Sequence, residues 1–482
     1  MSASSRIVWY TARHEMVRAR RRHTFGLSLG IVTLLLGAAF ALEGQRQTAE
    51  ASQRHALQEL VTERFKDQPD RHPHRMAHYG SFAFRPPSPL SFFEPGVMPF
   101  TGNALYLEAH KRNLPSFSPA TQASELVRFG RPTAAFVLQL LLPLLIFVMT
   151  FDSIAGEREQ GTWRLALSQG ASARALLLGK VLGHAALAIA WVLPIASVAI
   201  AVRLALGVGF PSGDTLLRAG LLGLAYALYL GLCAVIGVVV SSLHTRAHHA
   251  LTTLLCVWIA SFIVVPRAAA ELAVRSHPMP ARSQMEADLF SRIHGVDNGH
   301  GKNSPEAQAL AQRTLAQYGV SRIEDLPINI NGLRAQAGEE HTSRLYDQYY
   351  AGLYAIQREQ EALMLRFGVV SPLLLLRSVS MTLAGSDTHE FAAFLEQAEA
   401  HRAAFINKLN DVHAKHLQYA ESDNLQRASH EHWLDYEAFV YRQPGLSQAS
   451  PLLWASGLGL ALFCAVLILL AARGTRRALE RT

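Results

Sequence analysis

The apolar positions of this chain fall in blocks. Six blocks of about 18 residues or more, the length that carries a helix across a bilayer, lie at roughly 25–42, 134–151, 176–202, 216–240, 249–266 and 451–472. They predict six transmembrane helices and an integral membrane protein. The first block has a basic flank and an Ala39-Phe40-Ala41 triplet like a signal-peptide cleavage site. Its apolar length exceeds a usual signal core and five further spans follow, so it is expected to stay as a span.

The polar segments between the blocks carry their own patterns. Segment 43–133 begins with "EGQRQTAEASQRHALQELVTERF", a polar helix continuing out of the membrane, and then turns to "SFAFRPPSPLSFFEPGVMPF". Proline and aromatic density there favours irregular, extended structure. Segment 267–450 is mainly helical by pattern, as in "EFAAFLEQAEAHRAAFINKLNDVHAKHLQ", whose apolar residues recur at three- and four-residue spacing. Gly and Asn clusters near 295–303 and 329–338 mark breaks. The two long segments are expected to pack into one domain, since each alone offers few buried faces. The fold class is therefore an all-α membrane protein, six transmembrane helices plus a mainly helical extracytoplasmic domain.

One stretch within it is ambiguous. "FGVVSPLLLLRSVSMTLAG", 367–385, approaches the length of a span but carries Arg377 near its middle and Pro372 near its start. A mid-bilayer Arg costs about 2.5–3.5 kcal/mol on insertion scales. A helix on the membrane surface, or buried in the large domain, fits better.

Charge then orients the spans. Lys and Arg collect on short cytoplasmic flanks. The amphipathic N-terminal segment 1–24 holds Arg6, Arg13, Arg18, Arg20, Arg21 and Arg22 against a single acid, Glu15. Link 152–175 carries Arg158, Arg164 and Arg174, the turn 241–248 carries Arg246, and the tail 473–482 carries Arg473, Arg476, Arg477 and Arg481. Six spans with both ends inside put all four regions in the cytoplasm and segments 43–133 and 267–450 outside. The net charge of +8 is thus mainly a topology signal. No nucleic-acid-binding motif accompanies it, and no nucleic-acid partner is expected.

Candidate chemistry is sparse. Cys233, Cys256 and Cys464 all lie inside apolar blocks, so no disulfide framework or cysteine zinc site is implied. Histidines cluster at "RHPHRMAHYG" (His72, His74, His78) and "HTRAHH" (His244, His248, His249). A metal site needs three or four ligands held by further hydrogen bonds, and both clusters read as exposed polar histidines, with no metal. "SHEHW" at 429–433 has the wrong spacing for a two-histidine zinc helix. No Gly-x-Ser-x-Gly elbow exists, and His389 reads as part of a solvated face. No catalytic residue is therefore assigned. The phosphate-cradling loop Gly-x4-Gly-Lys-Ser/Thr is absent too; "GASARALLLGKV" has the wrong spacing and ends in Val. Lys180 and His184 lie four apart in the third span. Lys180 sits within about a turn of the interface and reads as snorkelling, as do Arg203 and Arg218 at the other ends of spans three and four.

The most unusual link is "FDSIAGEREQGTWRLALSQG", residues 151–170, a short connection that packs Glu157, Arg158, Glu159 and Arg164 around two glycines. By physics alone it is either a solvated linker or a docking face for a soluble partner, with Glu157 and Glu159 facing basic groups on that partner. The sequence 151–183 resembles the signature of ABC-2 type exporter permeases, matched here by Glu157, Arg158, Glu159, Gly161, Thr162, Ser168, Arg174, Gly179 and Lys180. It departs at Gly170-Ala171, where that family often has proline. The wider layout is similar to a subgroup with a large domain of unknown function inserted after the first and before the last span, and "SPLLLLRSVSMTLAGSDTHEFAAF" resembles its outer segment.

The resemblance implies a permease subunit of an ATP-driven exporter, a transport subunit with no ATPase site or cofactor of its own, ATP being bound by a separate ABC ATPase. Glu157, Arg158, Glu159, Gly161 and Thr162 would couple to that ATPase. It also implies a second permease copy or a related permease as partner, in a homo- or heterodimer among membrane lipids. The place would be a bacterial inner membrane, with the large domain in the periplasm. The alternatives are an envelope scaffold that transports nothing, or a sensor. A sensor needs a cytoplasmic output domain, and the longest cytoplasmic segment has only about 25 residues.

Overall fold

The structure is a computed structural model that describes residues 3–21, 23–118, 133–191, 211–294 and 304–480. Among the described residues, six helices are long and apolar enough to cross a membrane. They lie within Phe25–Lys66, Ala134–Glu159, Ala173–Ala190, Gly213–Leu243, Ala247–Ser276 and Leu452–Leu469. The molecule is the all-α membrane fold read from the sequence, six candidate spans and a mainly helical large domain. The far part of the expected third span (192–202), Arg203 and the break at 295–303 lie outside the described residues.

The chain opens with α1 (Ala3–Arg21) and α2 (His23–Lys66). Helix α1 is amphipathic, burying Ala12, Glu15 and Ala19 on one face while Arg6, Arg13, Arg20 and Arg21 stay exposed. Helix α2 has 44 residues, about 66 Å at 1.5 Å per residue. No proline interrupts it, so the apolar span passes directly into the polar helix expected after it. Beyond α2 come α3 (Pro73–Tyr79) and a small antiparallel sheet of β1 (Ser81–Phe84), β2 (Ala104–Glu108) and β3 (Lys111–Arg112). Ser81 pairs with Leu107, and Leu107 with Arg112. The Pro-rich stretch expected to be extended thus contributes β1 and then a series of turns.

The second span centres on α4 (Leu142–Thr150) and leads through α5 (Ala155–Glu159) and α6 (Thr162–Ser168) to α7 (Ala173–Ala190), the described part of span three. Helix α8 (Gly213–Leu243) is span four, α9 (Ala247–Trp258) and α10 (Val265–Ser276) continue span five, and α11 (Ile330–Arg366), α12 (Pro372–Ala384) and α13 (Thr388–His416) build the large domain. Helix α14 (Leu452–Glu480) is span six.

One apolar core joins the spans. It runs from Leu36 and Phe40 through Phe147, Tyr229, Cys233 and Phe262 to Leu460. A second core joins the two long segments: Phe65, Met76 and Ala109 from the first pack with Phe405, Ile406, Leu409 and Trp433 from the other. A third does the same with Ala83, Leu105, Leu107, Phe394 and Phe439.

Two local readings need correction. The stretch 329–338 is not one break: Asn329 caps the start of α11, and Gly332 and Gly338 lie inside that helix. Gly332 is there because a Cβ would meet the Ala414 backbone nitrogen of α13 at 2.4 Å. Arg218 does not snorkel. It is buried and gives hydrogen bonds to Asp214 (2.7 Å), to the Thr382 carbonyl (3.3 Å) and to the Pro444 carbonyl (2.8 Å), tying α8 to the large domain. Stretch 367–385 forms the 13-residue α12, too short to cross a bilayer. Its Leu373, Leu375, Leu376 and Leu383 belong to the core of the spans, and Arg377 is exposed.

Candidate functional site: the junction after span two

The link 151–175 is a folded corner. After α4 the chain turns, and the Ser241 hydroxyl of α8 receives the Ile154 and Ala155 N–H groups, both at 3.0 Å, while donating to the Phe151 carbonyl at 2.7 Å. That one hydroxyl satisfies the start of α5, whose first amides have no partner within the helix. Gly161, at φ 76°, takes the left-handed conformation that separates α5 from α6, a region open to Gly at little cost. Trp163 of α6 is fully buried beside Ile154, Leu177 and Val238, anchoring the corner to spans three and four. Ser172 then caps α7.

Within this corner each charged residue of "ERE" has a different internal partner. Glu157 accepts a 2.6 Å hydrogen bond from Lys180 on α7. Arg158 donates to the Ser242 carbonyl at 2.7 Å and the His244 carbonyl at 3.3 Å, at the C-terminal end of α8. Glu159 accepts from the Ala247 N–H at 3.2 Å, the first residue of α9. A cation thus sits on a helix C-terminus and an anion on a helix N-terminus, both the favourable sense of the helix dipole. Thr162 closes the turn by donating to the Glu157 carbonyl at 3.2 Å.

Lys180 is the centre of the site and corrects the snorkelling reading. It is 2% exposed. Its Nζ also donates to Glu15 of α1 at 2.5 Å. Glu15 lies 3.6 Å from His184 and 4.0 Å from Arg18, which in turn reaches Asp152 at 3.7 Å. Burial alone pushes the Glu15 carboxyl up, but Lys180, with His184 and Arg18 behind it, outweighs that and holds it below the ordinary carboxylate range. Helix α1 reaches this position because Gly179 and Gly183 clear a groove on α7. A Cβ on Gly179 would meet Thr11 at 2.5 Å, and one on Gly183 the Ala12 carbonyl oxygen at 2.8 Å.

All five sequence-assigned residues, Glu157, Arg158, Glu159, Gly161 and Thr162, therefore sit at this corner, held within the chain. Glu15 was missed. Its one sequence signal is being the lone acid in an otherwise basic segment. The face left to solvent is a ridge of Gln160, Thr162, Arg164, Leu165, Ser168 and Gln169, with Leu165 57% exposed.

Six candidate spans, with a buried charged corner after the second, define a multi-pass membrane protein. Residues 9–317 match the model of the ABC-2 family transporter proteins, and residues 281–442 match a domain of unknown function (DUF3526). The first match covers more than half of the chain, which therefore belongs to the ABC-2 transporter family, as a membrane permease component of an ABC transporter. No curated protein matches the chain.

Proposed function

We propose that this chain is the permease half of an ATP-driven exporter and that a separate ATPase docks on the ridge between Glu159 and Gln169. The chain has no ATPase site or cofactor of its own; ATP binds the partner. Two copies, or this chain and a related one, enclose the pathway within the lipid. The N-terminal segment, the corner, the 241–248 turn and the tail face the cytoplasm of a bacterial cell, and the large domain faces the periplasm.

The observation that carries this reading is that the corner is short, folded and fixed to spans two, three, four and five, yet leaves Leu165 exposed. Arg164, of a residue type enriched at interface hot spots, stands exposed beside Leu165 on that ridge and offers a charged and an apolar contact side by side. The test is Arg164→Glu with Leu165→Glu, both on the exposed side. Association with the ATPase should fall at least about tenfold, some 1.4 kcal/mol, with the permease melting as the wild type does. Unchanged association and unchanged transport-linked ATP hydrolysis would remove the ridge from the interface.

A further inference from the structure

We propose that His74, His78 and His110 form a binding site for a divalent late transition-metal ion, zinc in the first instance, on the large domain. His74 and His78 stand four apart on α3, one turn of helix, with their Nε2 atoms 3.2 Å from each other. Nitrogens sharing a tetrahedral zinc at about 2.0–2.1 Å lie about 3.3 Å apart. The third histidine comes from the turn between β2 and β3, and the three candidate ligand atoms all lie within 4.8 Å of one another. Its ring centre is 5.3 Å from that of His74 and 5.5 Å from that of His78.

His110 is set for this role by an unusual backbone. Its φ of 59° is one of two positive values at non-glycine residues among the described residues, a conformation that costs energy and clusters at functional sites. The turn lets the His110 N–H donate to Glu339 Oε2 at 2.8 Å while its Nδ1 lies 3.1 Å from the same oxygen. An imidazole that gives its Nδ1 proton to a carboxylate presents Nε2 as a ligand, the arrangement that orients most metal-binding histidines. Glu339 is itself held by Arg402, which also donates to the Glu108 carbonyl (3.0 Å), Glu399 (2.7 Å) and Ser343 (2.9 Å). Glu108 and Glu339 both place negative potential near His78. His78 is exposed, so an ion can enter from solvent.

The buried neighbour cluster of His72, His413 and Asp423 is a different object. Asp423 already accepts from His413 (2.8 Å), Asn329 (2.9 Å) and Asn331 (3.2 Å), and His72 Nδ1 accepts the His74 N–H at 3.2 Å. That last bond leaves the His72 proton on Nε2, where a ligand lone pair would be needed. Three nitrogen donors select zinc, nickel or copper over magnesium and calcium.

The test uses the full chain in nanodiscs, purified without a polyhistidine tag and stripped with chelator. Zinc is titrated against a chromogenic chelator, and cobalt provides a ligand-field spectrum. About one zinc per chain should bind, with no competition from magnesium or calcium. His78→Ala, on the exposed side, should abolish stoichiometric uptake and the tetrahedral cobalt bands without altering metal-free melting. Glu339→Gln should weaken zinc by roughly 10–100-fold. Zinc uptake by His72→Gln should match the wild type. Absence of stoichiometric uptake by the wild-type chain overturns the proposal. So does unchanged uptake in His78→Ala, and so does loss in His72→Gln with retention in His78→Ala, which would move the ion to the buried cluster.

Discussion

Replacing Lys180 by Met tests whether the charged corner is a structural lock. The substitution keeps length and apolar volume but removes an ammonium that bonds Glu15 and Glu157. The two carboxylates respond differently. The side chain of Glu157 is 21% exposed and can regain water, so its share of the loss is that of a partly solvated pair, about 1 kcal/mol or less. Glu15 has a 3% exposed side chain and keeps only His184 at 3.6 Å and Arg18 at 4.0 Å. Breaking a buried pair by removing one partner costs about 3–5 kcal/mol, because the remaining charge is stranded. The Lys180→Met protein should therefore lose about 3–5 kcal/mol of local stability, seen as release of α1 and faster trypsin cleavage at Arg13 and Arg20. Adding Glu15→Leu should restore most of the loss, since an apolar replacement of a buried ion pair is often neutral or better. Glu157→Ala alone should stay within about 1 kcal/mol of wild type. The assay is limited proteolysis and thermal unfolding in nanodiscs across this double-mutant cycle. If Lys180→Met lies within about 0.5 kcal/mol of wild type, or the double variant is as unstable as the single one, the lock does not exist.

Two further outcomes follow from buried polar groups. Ser241→Ala leaves the Ile154 and Ala155 amides and the Phe151 carbonyl without their shared partner; it should cost about 1–3 kcal/mol and accelerate hydrogen exchange at those two amides. Glu94, buried where the large domain meets the spans, accepts from Gln139 (2.8 Å), Ser380 (3.2 Å) and the Gly96 N–H (3.3 Å), yet burial raises its carboxyl above the ordinary 4.5 despite Arg377 and these donors. A carboxyl raised on folding contributes stability that is complete below about 4.5 and fades as pH climbs through its folded value. Melting temperature should thus fall with rising pH above that point, and Glu94→Gln should remove that slope; a slope that survives the substitution refutes the assignment.

The spans were legible because a bilayer sets the length of an apolar block, and Leu36, Phe147 and Cys233 needed no partner to be recognised. Packing of the two long segments was also foreseeable, since residues such as Phe65 and Phe405 lack enough apolar surface nearby in sequence. What escaped were contacts between residues far apart along the chain. Lys180 read as a snorkelling cation because it sits within about a turn of the interface, whereas α1 lies along span three and supplies Glu15 from 165 residues away. The spacing of Gly179 and Gly183 was the available hint, since small residues four apart let helices approach closely. His110 stood alone in the sequence, and only the β2–β3 turn brings it to His74 and His78. Arg218 failed for the same reason as Lys180: its carbonyl partners at Thr382 and Pro444 belong to another part of the chain.

The "ERE" stretch also separates two meanings of a functional motif. The sequence alone offers its charges as contacts for a partner, while the geometry gives all three to the chain itself: Glu157 to span three, Arg158 to the end of span four, Glu159 to the start of span five. A lever must be stiff before it can transmit a push. Were these charges spent on an external surface, the corner would keep its two backbone ends, the Ser241 hydrogen bonds at its start and Trp163, but lose its ties to spans three and five through Glu157 and Glu159, and a docking force would bend it more easily. With them turned inward, displacement of the exposed ridge is shared among spans two to five at once. On this view the motif's charges position the ridge, and Arg164 and Leu165, which the motif does not include, carry the recognition. Substitutions at Glu157 and at Leu165 should therefore separate by phenotype: the first costs the corner up to about 1 kcal/mol and leaves association near that of the wild type, the second leaves the corner folded and weakens association.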